Sequence, residues 1–287
     1  MAREQIRKTY KLYIGGAFPR SESGRSYTVT DTSGAFLANA AQGSRKDVRD
    51  AVTAARAGFV RWSAATAYNR GQVLYRVAEV MEGRRDQFVT EVAAAEGLAK
   101  RPAGALVDAS IDRWVWYAGW TDKLAQVHGN ANPVAGPFFN FSVPEPTGVV
   151  GVVAPQSSSL LGLVSVVAPV LATGCSAVVL ASENRPLPAV TLGEVLATSD
   201  VPAGVVNILT GSVAEMAPWL AGHGDVNAVD LSGVDDPDLA HELESAAAGT
   251  LKRVRRPEPR HDFADVPGLS RMLDVLEIKT VWHPVGT

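Results

Sequence analysis

Thiol chemistry is almost missing from this chain: of 287 residues only Cys175 is a cysteine. An internal disulfide is therefore excluded, and so is a metal site built on cysteine. Histidine is sparse too. His128, His223, His241, His261 and His283 show neither the paired spacing of metal ligands nor proximity to acidic clusters, so no metal site is expected. No sign of charge dominates: 27 Lys+Arg against 30 Asp+Glu leaves a net −3 and a pI near 6.0, without the basic footprint a nucleic-acid partner needs. Met1–Lys8 lacks the apolar core of a signal peptide, which points to a reducing cytoplasm. Long apolar runs are absent as well. Leu160–Leu180 comes nearest to a membrane span, but Pro169 and Thr173–Gly174 interrupt it and no Lys/Arg cluster flanks it. It reads as a buried helix followed by a buried strand, the pattern of a parallel sheet covered on both faces.

What is present is enough for a sizeable core, with 46% hydrophobic and 20% charged residues, and disorder is excluded for most of the chain. The length suggests about two domains, or one with an appendage. Lys11–Phe18 looks like a strand pair turning at Gly15–Gly16, with further strands at Tyr27–Val29 and Phe36–Ala40. Helical spacing then begins at Val48, Val52, Ala55, Phe59 and Trp62, behind a capping pair Ser44 and Asp47. Arg70–Met81, Asp86–Glu96 and a long Pro102–Val127 give further helices, the last with Trp114, Tyr117 and Trp120 as a packing stripe. Gly129–Pro133 reads as a connector and Phe138–Val143 as a strand ending at Pro144 and Pro146.

From Gly148 the pattern alternates. Strands at Val149–Ala154, Ser176–Leu180, Gly204–Thr210, Asn227–Ser232 and Thr250–Arg255 are separated by helices at Leu160–Ala172, Leu187–Thr198, a segment opened by Ser212 and Glu215 as a capping box, and Pro237–Ala248. Repeated β-α-β implies an α/β fold with a doubly wound, Rossmann-like parallel sheet, whose ligands bind at the carboxyl ends of the strands. Pro267–Asp274 suggests one more helix. Val275–Trp282 alternates like a strand that needs a partner.

The chemistry of this sheet is incomplete. No Gly-x-Gly-x-x-Gly follows a strand near Gly148, Gly151, Gly174 or Gly211. Cys175 sits at the mouth of a buried strand with no charged neighbour in sequence to lower its pKa, so it reads as a packing residue. The run Lys252–Arg256 reads as a solvated strand end.

Several segments, taken in order, resemble the NAD(P)-dependent aldehyde dehydrogenase superfamily. They are Leu12–Gly16, Phe59–Trp62, Arg70 with Leu74, Tyr117–Lys123, Glu145–Pro155, Ala168–Cys175 and Val201–Gly211. The resemblance implies a cofactor-binding domain over 1–132 and 148–256, and an oligomerisation arm over 133–147 and 268–287. It also implies that 257–267 is a linker standing in place of the catalytic domain. It further implies roles that this chain does not fill. Gln156 and Ser157 stand where the family has tryptophan and its oxyanion-donating asparagine. Ala181 replaces the ribose-holding lysine, with Ser182 and Glu183 following in a shorter loop. The phenylalanine-threonine-glycine-serine beneath the pyrophosphate becomes Leu231, Ser232, Gly233 and Val234, with Asp235 and Asp236 directly behind.

The family's general base and glycine-rich run should follow Leu251–Val254, where the proline-bearing linker Arg256–Asp262 stands instead, and Cys175 aligns with a structural position. Without a thiolate and base there is no acyl transfer and no route to hydride transfer. The expectation is therefore a catalytically inactive subunit with no NAD(P) bound and no catalytic residue, assembling with a full-length aldehyde dehydrogenase or with itself. Its interface would be Phe138, Phe139, Phe141, Val143, Leu276, Ile278, Thr280, Val281 and Trp282, on a terminal strand that crosses to another subunit. A nucleotide-sensing module and an active aldehyde oxidoreductase are the alternatives.

Overall fold

The computed structural model describes residues 8–258 and 261–286. Most of the Met1–Lys8 segment read for a leader, residues 259 and 260 of the linker, and the last residue of the 268–287 arm segment lie outside the described residues. The small first sheet holds β1 (Thr9–Tyr10), β2 (Ser26–Thr30) and β3 (Phe36–Ala41) in the order β1-β3-β2. Between its first strands the chain turns at Gly15–Gly16, where Ile14 bridges Ala17 and Tyr13 bridges Ile208.

Helix α1 (Arg45–Ala64) starts where the spacing predicts. The Ser44 hydroxyl accepts from the Lys46 and Asp47 amides, and the Asp47 carboxylate returns to the Ser44 amide at 2.9 Å. Val48, Val52, Ala55 and Trp62 face inward, and the Trp62 indole donates to the Leu171 carbonyl at 2.9 Å. Helices α2 (Ala67–Gly83), α3 (Arg85–Glu96) and α4 (Lys100–Ala118) follow. The long aromatic helix breaks where one continuous element was expected. Gly119 disfavours continuation, and Thr121 Oγ1 donates to the Ala118 carbonyl at 2.9 Å. A short α5 (Leu124–His128) resumes after the turn. Trp114 and Tyr117 are core, whereas Trp120 falls past the helix end and packs tilted on Trp116.

The main sheet contains β6 (Val149–Val153), β7 (Ser176–Leu180), β8 (Val206–Leu209), β9 (Ala228–Asp230) and β10 (Arg253–Arg255). All are parallel, in the order β10-β9-β6-β7-β8, so the winding reverses at β6. The connecting helices are α6 (Leu161–Ala172), α7 (Leu187–Leu196), α8 (Val213–Ala221) and α9 (Pro237–Ala248). One apolar core joins the sheet to α6, α7 and the α2–α4 layer; the other joins it to α1, α8 and α9. β6, β7 and β8 are buried throughout, which is why their sequence runs are apolar apart from Ser176 and Asn207.

The arm is a separate antiparallel sheet of β4 (Asn130–Asn132), β5 (Phe138–Pro146) and β11 (Leu276–Pro284), in the order β11-β5-β4. It corrects several expectations. Asn130–Asn132 is a strand, not a connector, because its backbone pairs with 140–142 of β5. β5 runs through Pro144 and Pro146, which is tolerated because β4 reaches only Ser142 and leaves that edge open. The terminal strand finds its partner in its own chain, pairing with β5 from Leu276 opposite Pro146 to Pro284 opposite Phe138. The helix before it, α10, is confined to Ser270–Leu273.

α1 and the β8 turn approach so closely that a Cβ on Gly58 would stand 2.5 Å from the Gly204 carbonyl carbon. Gly58→Ala would raise the helix propensity of α1, yet it is expected to destabilise the fold by about 2 kcal/mol through overpacking. Urea unfolding that shows equal or greater stability would contradict this contact.

Candidate functional site at the carboxyl ends of the strands

The turns leaving β6, β7 and β9 meet at the point where the sheet order reverses, and the positions singled out from the sequence lie there. Gln156 spans the first two turns. Its Nε2 donates to the Ala154 carbonyl at 2.7 Å, its Oε1 accepts from the Glu183 amide at 2.9 Å, and its carbonyl accepts from Ser182 Oγ at 2.9 Å. Ser157 is exposed, with its carbonyl taken by the Arg185 guanidinium. Ala181 is buried and apolar. Glu183 sends its carboxylate to the Val213 amide at 3.2 Å, at the start of α8. That contact displaces the capping box expected from Ser212 and Glu215: Ser212 makes no side-chain cap, and Glu215 pairs with Arg25 instead.

The turn after β9 is closed on itself. The Ser232 amide donates to Asp230 Oδ1 at 2.9 Å, the Gly233 amide to the Val153 carbonyl at 3.0 Å, and the Val234 amide to the Leu231 carbonyl at 2.9 Å. A Cβ on Gly233 would stand 1.9 Å from the Ala154 carbonyl oxygen, so this position admits only glycine. Val234 is buried, and Asp236 caps α9 by accepting from the Asp238 amide.

The tail after β10 doubles back onto this end of the sheet through a buried arginine. Arg271 Nη1 donates to Asp230 Oδ2 at 3.0 Å and to Ser232 Oγ at 2.9 Å, while Nη2 donates to Glu258 Oε2 at 3.0 Å. Arg255 joins the network by pairing with Glu258 and Asp274. On the α4 side, Arg113 Nη2 donates to the Phe263 and Asp265 carbonyls at 2.8 and 2.9 Å. The Ser232 hydroxyl is thus spent on Asp230 and Arg271. Sequence reasoning missed Arg271 and Arg113 altogether, since neither lies in a motif; the only signal was a lone arginine inside an apolar stretch. Arg271→Met strands the buried Asp230 carboxylate, with an expected loss of about 3 kcal/mol in urea unfolding. Arg271→Met with Asp230→Leu should recover much of it, since a buried pair replaced by apolar groups is close to neutral. No loss in the single variant would show that the tail is held by other contacts.

Cys175 is buried just before β7 and donates its thiol to the Val275 carbonyl at 3.4 Å. Burial pushes the thiol pKa up, outweighing the neighbouring Arg70, a charged group brought close only by folding. The thiol is therefore protonated near neutral pH and is expected to react with Ellman's reagent only on unfolding; fast labelling of the native chain would contradict this.

Among the described residues no cluster of three or more His, Cys, Asp or Glu is placed to hold a metal, and no helix is long and apolar enough to cross a membrane. The parallel sheet, its switch point and the arm define an α/β domain of the kind that binds dinucleotides in aldehyde dehydrogenases. The aldehyde dehydrogenase family model matches residues 18–255, and the chain belongs to that family. It is 32% identical over 254 residues to the mitochondrial aldehyde dehydrogenase of Rattus norvegicus, covering 85% of this chain and 47% of that one. The cytosolic 10-formyltetrahydrofolate dehydrogenase of Mus musculus is 32% identical over 257 residues, covering 87% of this chain and 28% of that one. The NAD+ complex of an aldehyde dehydrogenase from Bacillus cereus superposes with a TM-score of 0.81 at 26% identity, covering 86% of this chain and 50% of that one. The chain thus spans half or less of the length of these relatives.

Proposed function

We propose that this chain is a catalytically inactive aldehyde-dehydrogenase-like subunit that assembles with a full-length aldehyde dehydrogenase. The observation that carries the reading is the tail: where the family continues into its catalytic domain, Arg271 folds back and bonds to Asp230 and Ser232, with Glu258 accepting from its other terminal nitrogen. Cys175, the one thiol in these 287 residues, is buried and does not present a nucleophile. Covalent aldehyde oxidation needs a thiolate.

A dinucleotide does not fit the groups that remain. A pyrophosphate seeks free amides at a helix N-terminus, but those of Ser232, Gly233 and Val234 are already donated, and Asp235 and Asp236 add like charge. The ribose would meet Ala181 in place of a lysine, and a Glu183 carboxylate engaged by the Val213 amide. Losing such contacts at about 1.5–3 kcal/mol each moves a micromolar site toward the millimolar range. Calorimetry with NAD+ or NADP+ is expected to give a dissociation constant above about 100 µM, and aldehydes should cause no cofactor reduction. Tight binding, or reduction by the purified chain, would restore the nucleotide-sensing or enzymatic reading.

Assembly is supported by the arm. The outer edge of β11 pairs with no described strand, and the sheet exposes apolar groups on both faces. The register divides the expected interface residues: Phe138, Ile278, Thr280 and Trp282 share one face, Phe139, Phe141, Val143 and Val281 share the other, and Leu276, expected with the first group, is instead buried in the chain's own core. An unpaired strand edge flanked by exposed aromatics is unfavourable in water and favours a partner. Co-expression with a full-length aldehyde dehydrogenase followed by native mass spectrometry is expected to show a mixed complex. Ile278→Lys combined with Trp282→Glu should release it; a complex of unchanged mass would remove the arm from the interface.

A further inference from the structure

A cleft of about 450 Å³ opens at the opposite end of the molecule from the strand carboxyl termini, where the arm leaves the body. Its walls are Phe59, Ala67, Leu124, Ala125, Pro144 and Leu276, and its polar end is Arg70 with Ser63. Arg70 is half-buried, and its guanidinium lies over Gly174, close enough that a Cβ there would be 3.3 Å from the guanidinium carbon. One terminal nitrogen donates to the Ala65 carbonyl, while the buried Nε has no hydrogen-bond partner. No carboxylate pairs with Arg70 among the described residues. Glu145, which lines the same cleft, is engaged by Lys279 at 3.1 Å.

We propose that this cleft binds a small monocarboxylate with an apolar body, its carboxylate on Arg70 and its hydrocarbon against Phe59, Leu124 and Leu276. A half-buried guanidinium with no counter-ion gains from a carboxylate, to which the terminal nitrogen not spent on Ala65 can donate. The hydrocarbon walls reward an apolar ligand body, the usual composition of a small-molecule pocket. Inorganic phosphate offers no hydrocarbon to these walls and is disfavoured. The ligand would also clamp Leu276 and Pro144, at the stem of β11 and β5, to the helices. The site is separate from the cofactor crevice.

Isothermal titration calorimetry on the full chain, with sodium hexanoate as probe, tests this. Hexanoate is expected to bind in the millimolar range or tighter, and 1-hexanol and inorganic phosphate at least about tenfold more weakly, the fold-change of one charge-assisted contact. Arg70→Gln should weaken hexanoate by a similar factor. Because Arg70 also holds the end of α1, Ala125→Trp serves as a second variant: it fills the exposed mouth of the cleft, leaves Arg70 in place and should equally abolish binding. Absence of heat with hexanoate, equal binding of hexanol, or undiminished binding in the folded Ala125→Trp variant would each overturn the proposal.

Discussion

The arrangement of this molecule turns on one buried ion pair, Arg271 with Asp230. Asp230 is the last residue of β9, at the carboxyl end of a parallel sheet, so the arginine must be brought there by chain that lies beyond β10. A charge is tolerated in such a place only if it is paired and fully hydrogen-bonded, and here Ser232 and Glu258 complete the set. Everything downstream follows from that anchor. α10 is seated against α6, Val275 reaches the Cys175 thiol, and Leu276 starts β11 at the register that pairs it with Pro146.

The same anchor takes part in the bonding at the carboxyl ends of the strands, through Ser232. In a site built for an anion, amides and hydroxyls are left free to face it. Here several such groups near the switch point bond to protein: Gln156 to Ala154 and Glu183, Glu183 to Val213, Ser232 to Asp230 and Arg271. Internal bonds of this kind rigidify the turns.

Much of the sheet was legible in the sequence because buried parallel strands leave an unmistakable trace. Val149–Val153 and Ser176–Leu180 are apolar at every position or nearly so, and the Ser44–Asp47 pair marks a helix start by local chemistry alone. What escaped depends on contacts between distant residues. Asn130–Asn132 carries no strand signal and is extended only because β5 lies alongside. The Ser212–Glu215 spacing is correct for a capping box, yet Arg25 and Glu183 claim the groups involved. Of the site, likeness to the family named positions that lie at the carboxyl ends of the strands, whereas their bonding partners, Arg271 above all, left no mark in the sequence.

The pairing of β5 with β11 joins residues 138–146 to residues 276–284, the most sequence-distant union of strands in the described fold. Contacts of such separation close late, since the intervening chain must be ordered first. During synthesis, Phe138, Phe139 and Phe141 emerge long before their partner strand exists; at ribosomal rates the gap is on the order of ten seconds. For that interval β5 is an aromatic strand with an open edge, and the nascent chain has to be shielded until its final strand arrives.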